Sequence, residues 1–317
     1  MCEVVTYYDR WVNGADLRVA DLVAGRMPSN APKPAPGQVL NANRTVLQLE
    51  PYDGSSPRLP HLDASKLATV RHVLVHGSMA THDACGFSDI DIAVIVDDVR
   101  SFTPDQHRRA VRELRRLLRA ALGFDSLMHH GLMFFPASKL ERYDERFLPI
   151  EALRCARVLH GPQTVHLHAT AAPLEEFRAS LRAAAASLRK RFASSDFLQN
   201  DYQFKNVLAG ILLMPARVLA ARGVLVYKRD SFELAREFFT PAQWDLIGRS
   251  EALRSTWVRP PAPALNSFVP PASHPHLRRI VGSRMAPRLN ARRISPRMLD
   301  GLRAGANAFL DRVEAIG

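Results

Sequence analysis

The chain has 317 residues, a formal net charge of +12 and an apolar share of 47%. That length exceeds one typical domain and that share is ample for packed cores, so a globally disordered chain is excluded and about two domains are expected. The cations are thirty-seven arginines against six lysines, a bias that with the many alanines fits GC-rich coding.

Glu3, Asp9, Arg10, Asp16 and Arg18 break any early apolar run, so no secretory leader is expected. No stretch approaches the ~20 apolar residues of a membrane span; the best, residues 206–216, is too short. Cys2, Cys85 and Cys155 have no metal-type spacing and cannot all pair, which fits a reducing cytoplasm.

In chain order, residues 5–26 carry apolar groups at a fair helical spacing, and a proline linker follows over 28–37. Residues 45–49 predict one short strand, and 51–60 are turn-rich. Residues 1–62 therefore read as an N-terminal extension. Asp63 is expected to cap a helix over 64–71 and to begin the core domain.

Residues 70–98 read as a strand, a Gly77-Ser78 turn, a short polar loop or helix, and a second strand carrying Asp89 and Asp91. Carboxylates at i and i+2 on a strand share a face. The run 92–96 is apolar enough to be buried behind them. Two negative charges beside a dry interior are costly unless a cation neutralises them, as Mg²⁺ with phosphate oxygens does.

Thr103-Pro104 reads as N-cap and first helical residue of a helix to about Leu122, closed at Gly123, with its arginines on a solvated face. A third strand over 126–135 is introduced by Asp125 and has His129 and His130 at its middle. Adjacent strand residues face opposite ways, so at most one of the two faces the Asp pair. An extended piece over 155–160 ends at Gly161-Pro162.

The remainder reads as helical. One helix spans about 173–192, with Leu174, Phe177, Leu181 and Leu188 inward. A second spans about 197–222, where Pro215 predicts a kink. Tyr227 to Phe232 form a turn before another helix, with Ser231 as a candidate cap. A proline-rich linker covers 260–275, and a last helix begins at Ser295-Pro296 with a stripe through Leu299, Leu302, Ala306, Phe309, Val313 and Ile316. From Arg259 onward the net charge is +7. That segment has few aromatics and no nucleic-acid module, so self-docking or plain solvation is the favoured reading.

Gly77-Ser78, ten residues, then Asp89-Ile90-Asp91, between an apolar strand and a hydrophobic one, resembles the signature of nucleotidyltransferases with a DNA polymerase beta-like fold. The resemblance extends to small bacterial members such as the aminoglycoside nucleotidyltransferases. It implies an α+β chain: a small mixed-sheet nucleotidyltransferase domain over 63–165, a helical substrate domain over 166–258, and a basic segment over 259–317 ending in a helix. It implies transfer of a nucleoside monophosphate from a triphosphate, ATP by default, to an acceptor hydroxyl, with two Mg²⁺ ions and release of pyrophosphate.

In that reading Asp89 and Asp91 hold the metal, Gly77 lets the backbone approach the phosphates, and Ser78 helps hold them. Residues 227–232 are similar to a Tyr-Lys-x-x-Ser-Phe turn in the helical domain of small members, which makes Lys228 a candidate for the triphosphate and Lys205 a second. The family takes a third carboxylate from the third strand as metal ligand and base. Here that strand has histidines and no acid, so the role falls to Asp125 or to a histidine, His130 or His129.

This departure keeps two alternatives open: a binding protein that retains the fold without catalysis, and an enzyme nucleotidylating nucleic acid or a protein. A small-molecule acceptor is favoured over nucleic acid, and no membrane partner is expected.

Overall fold

The computed structural model describes residues 39–40, 43–52, 67–98, 101–124, 132–146, 148–170, 172–194, 196–259 and 286–317. The expectations for residues 1–38, for Asp63, for Asp125, His129 and His130, and for the 260–275 linker lie outside them.

The short strands β1 (Val39–Leu40), β2 (Asn43–Gln48) and β3 (Glu50–Pro51) come first. Strands β4 (Val70–His76) and β5 (Asp91–Val96) pair antiparallel, with His76 opposite Asp91 at the end that carries the acids. Helix α1 (Pro104–Phe124) crosses over, and β6 (Met133–Pro136) lies parallel to β5. On the other side β7 (Arg157–His160) runs antiparallel to β4, and β3 covers β7 in parallel. The sheet is mixed, in the order β3-β7-β4-β5-β6.

Its central strands are Val- and Ile-rich because both faces are covered. Val73, Ile92, Val94 and Val96 pack on Leu114, Leu117 and Leu118 of α1. Leu74, Ala93 and Ile95 face a second layer, where β2 pairs antiparallel with β8 (Thr164–Ala169) and the short helix α2 (Ile150–Arg154) packs beside them. A further short strand, β9 (Ala172–Pro173), pairs with β1. Each such buried Val, Leu or Ile side chain contributes roughly 1.5–3 kcal/mol.

Several boundaries differ from the sequence reading. Val70 and Arg71 belong to β4 rather than to a helix, since strand pairing with β5 satisfies a backbone that a short helix would leave open at both ends. Residues 43–52, expected within an extension, are part of the sheet domain, with Leu47 and Leu49 in its core. The extended piece is a strand over 157–160, internal to the sheet between β3 and β4. Thr103 does cap α1: its side chain accepts from the Gln106 N–H at 3.3 Å while the Gln106 side chain accepts from the Thr103 N–H at 2.7 Å.

The second half is helical. Helices α3 (Leu174–Ser194), α4 (Asp201–Ala221), α5 (Ser231–Ala235), α6 (Pro241–Ser255) and α7 (Pro296–Ile316) enclose one apolar core. Asn200 caps α4, Thr240 forms a reciprocal capping box on α6, and Ser295 caps α7 with Pro296 behind it.

Helix α4 runs through Pro215, and it is the element around which the others pack. By length and composition it is apolar enough to cross a membrane, but those side chains form the centre of the helical core. The α7 stripe foreseen from sequence is buried there too, through Leu302, Ala306, Phe309 and Val313. The buried Asp201 carboxylate accepts hydrogen bonds from the backbone N–H groups of Asn290 and Ala291, both at 2.9 Å, and so ties the segment preceding α7 to the start of α4.

Candidate active site

The site lies where β4 ends and β5 begins. At Gly77 the chain turns with φ +71, a left-handed conformation, into the single turn Gly77–Met79. A Cβ at Gly77 would overlap the Asp91 carboxylate, so the backbone of this turn and the acid are in direct apposition. The turn is held from the sheet side by Arg157, whose Nε donates to the Ala80 carbonyl at 2.8 Å and whose guanidinium pairs with Glu50 at 2.7 Å.

Asp91 is the first residue of β5 and half-buried. Asp89 falls just before the strand, in the lead-in, and is buried. Alternation along a strand is thus not what aligns the two acids. The lead-in itself is tight: the Ser88 side chain accepts from the Cys85 N–H at 3.0 Å, and Arg259 donates to the Ser88 carbonyl at 2.6 Å. Phe87 leaves this loop to join the helical core, edge-on to Trp257 with ring centroids 5.1 Å apart.

The helical domain supplies the cations. Lys205 of α4, 2% exposed, forms an ion pair with Asp89 and lies 5.5 Å from the Phe87 ring centroid. Lys228 is half-buried in the turn before α5; burial pushes its ammonium below the usual lysine range, while Asp91 and then Asp89 pull it back up. Lys228 therefore feels both acids of the pair.

The same turn docks on the loop after Gly77. Arg229 donates to Asp83 at 2.9 Å, and burial chiefly pushes the Tyr227 phenol up, a shift that the nearby Thr81 side chain opposes. The Thr81 hydroxyl also donates to Asp83 at 2.8 Å, the first cause holding that carboxyl below its usual range, with Arg229 next among the groups that lower it. Ser231 is not the cap expected. It is the first residue of α5, buried, and its hydroxyl donates to the Lys228 carbonyl at 2.6 Å, which fixes the lysine's backbone.

Of the expected residues, Gly77, Ser78, Asp89, Asp91, Lys205 and Lys228 are brought to one place. Asp125, His129 and His130 lie outside the described residues. No cluster of three metal-ligating side chains occurs among the described residues. The Asp pair nonetheless fits a hard divalent cation that takes its remaining ligands from phosphate and water, and the Lys205 ammonium already stands as a cation against Asp89.

Sequence reasoning missed Arg259, Phe87 and Trp257 as parts of the site's frame. It also missed the Lys205–Asp89 pair, although a lysine on the apolar stripe of Phe204, Leu208 and Ile211 was its signal.

Residues 64–128 match the family model described as polymerase beta, nucleotidyltransferase. That segment holds β4, the Gly77 turn, both acids and α1, and the match supports the polymerase beta-like nucleotidyltransferase superfamily for this domain. Comparison with curated proteins and with solved structures found no match.

Proposed function

We propose that the protein transfers a nucleoside monophosphate from a triphosphate, ATP by default, to a hydroxyl of a small acceptor and releases pyrophosphate. The observation that carries this reading is the Gly77 backbone set against Asp91, with Asp89 beside it, inside the segment that matches a nucleotidyltransferase family. Asp89 and Asp91 would hold Mg²⁺, which supplies neutralisation of the phosphate charge. The Gly77-Ser78 turn offers backbone N–H groups and a hydroxyl to the phosphates, and Lys228 faces the same space from the helical side. The helical layer forms the opposite wall and selects the acceptor. Asp125 or His130, with His129 as the alternative, is proposed as the base that takes the acceptor proton. Catalysis of this kind rests on positioning and charge stabilisation, which is what these residues offer.

The test is pyrophosphate release with Mg²⁺, each triphosphate and candidate acceptors. Asp89→Asn with Asp91→Asn is expected to lower it by more than about 100-fold with the fold intact; full activity in the double variant would remove the site assignment. The Lys205–Asp89 pair is the observation that favours a second reading, a fold-retaining binding protein without catalysis. Triphosphate binding with no Mg²⁺-dependent pyrophosphate release under any acceptor would select it. A nucleic-acid acceptor would show itself by binding that weakens steeply with salt.

A further inference from the structure

Lys205 is 2% exposed and fixed on the central helix of the helical core. Its flank is the Phe87 ring, itself wedged against Trp257, and Phe204 lies 5.6 Å from the same Trp257 ring. A buried ammonium needs a nearby counter-charge, and Asp89 is the one it meets. Asp89 is also one of the two acids proposed to hold the metal.

We infer that Lys205 is an internal cation that competes with the divalent metal for Asp89, so that the closed domains bind metal weakly until a triphosphate comes with it. The inference rests on the metal-site reading above.

Three observations carry it. The ion pair joins two domains, so releasing it loosens the seam between the lead-in to β5 and α4. The space is dry on the lysine side, where Asp89 itself is only 7% exposed, so a divalent ion and an ammonium on one carboxylate would repel with little screening. An ammonium already neutralises Asp89, so a bare divalent ion against the remaining Asp91 charge leaves a positive excess, which a triphosphate offsets. Metal and nucleotide are therefore expected to enter together.

The experiment measures Mn²⁺ binding to the full chain without nucleotide, by loss of the free-ion EPR signal, for wild type, Lys205→Met and Lys205→Met with Asp89→Asn. Lys205→Met is expected to bind Mn²⁺ at least about tenfold tighter than wild type and to gain more in Tm from it. The double variant is expected to lose that gain. Equal or weaker binding by folded Lys205→Met overturns the inference.

Should that variant not fold, the wild type carries the test. Acetylation of Lys205 by an amine-reactive reagent, read by mass spectrometry, is expected to rise several-fold under saturating Mn²⁺. Unchanged or slower labelling overturns the inference. Nucleotide transfer by wild type, with no Mn²⁺ gain in Lys205→Met, would remove the competition and leave the proposed function standing. Tighter Mn²⁺ binding with no transfer under any condition would do the reverse.

Discussion

Gly77 admits no side chain for two independent reasons. Its φ of +71 disfavours any L-residue, and a Cβ would enter the Asp91 carboxylate. The backbone conformation alone costs about 1–2 kcal/mol for a non-glycine residue. Gly77→Ala is therefore expected to lower stability by at least that amount in urea unfolding. By displacing Asp91 it should also cut pyrophosphate release by about 100-fold. Lys228→Met should leave the fold in place and weaken triphosphate binding, at about 1.5–3 kcal/mol for a lost charged hydrogen bond, measured as the rise in Kd.

At this scale the sequence spoke clearly about Gly77, Asp89 and Asp91, whose residue types are dictated by local geometry and charge. It spoke faintly about Lys205. A lysine's partner is set by how two domains pack, and no spacing within one helix encodes that.

Among the elements, β4 and α1 are joined by a buried carboxylate. Glu113, 1% exposed, accepts from the Ala68 N–H at 3.1 Å, the Thr69 N–H at 3.0 Å and the Thr69 hydroxyl at 2.5 Å, just before the strand starts. Glu113→Ala leaves those donors unmatched and is expected to cost about 1–3 kcal/mol in denaturant unfolding.

Two buried histidines act on the same layers. Burial pushes His107 of α1 and His72 of β4 below the usual imidazole range, in His72 against the nearby Thr164 backbone, which pulls it up. The unfolded chain then binds more protons below the ordinary value of 6.5. Stability is therefore undiminished above that pH and falls as pH drops through it, until the folded-state values are passed. Tm measured from pH 7 downward should decline, and His107→Gln should flatten part of that slope.

Helices α1, α3, α4 and α7 were legible because their apolar stripes and caps are local. Strand β2 was legible as a strand, but its place was not: its partner is β8, far along the chain. The shared-face argument for the two acids presumed that both lie on a strand. Asp89 precedes it, and the tie from Arg259, a residue of another domain, helps shape that lead-in.

Across the whole molecule, the C-terminal basic segment ends as structure, not as a tail. Helix α7 closes the helical core with Phe309, 0% exposed and stacked on Phe239 at 4.8 Å. Phe309→Ala is expected to cost about 3–5 kcal/mol, seen as a lower Tm. It should also loosen the wall opposite the acids, seen as a raised KM for the acceptor. This docking binds residues 286–317, the described end of the basic segment, to the chain's own helical core. Its stripe announced a packed helix; the partner surface, assembled from α3 and α6, had no sequence mark.

The Phe87 anchor gives the site a history as well as a geometry. During synthesis the N-terminal layers form first, and β4, β5 and both acids leave the ribosome well before Lys205 and Trp257. For that interval Phe87 has no pocket and Asp89 has no internal cation. The nascent sheet domain then exposes the Phe87 ring and the Asp89 carboxylate, and emergence of α4 is the event that covers both.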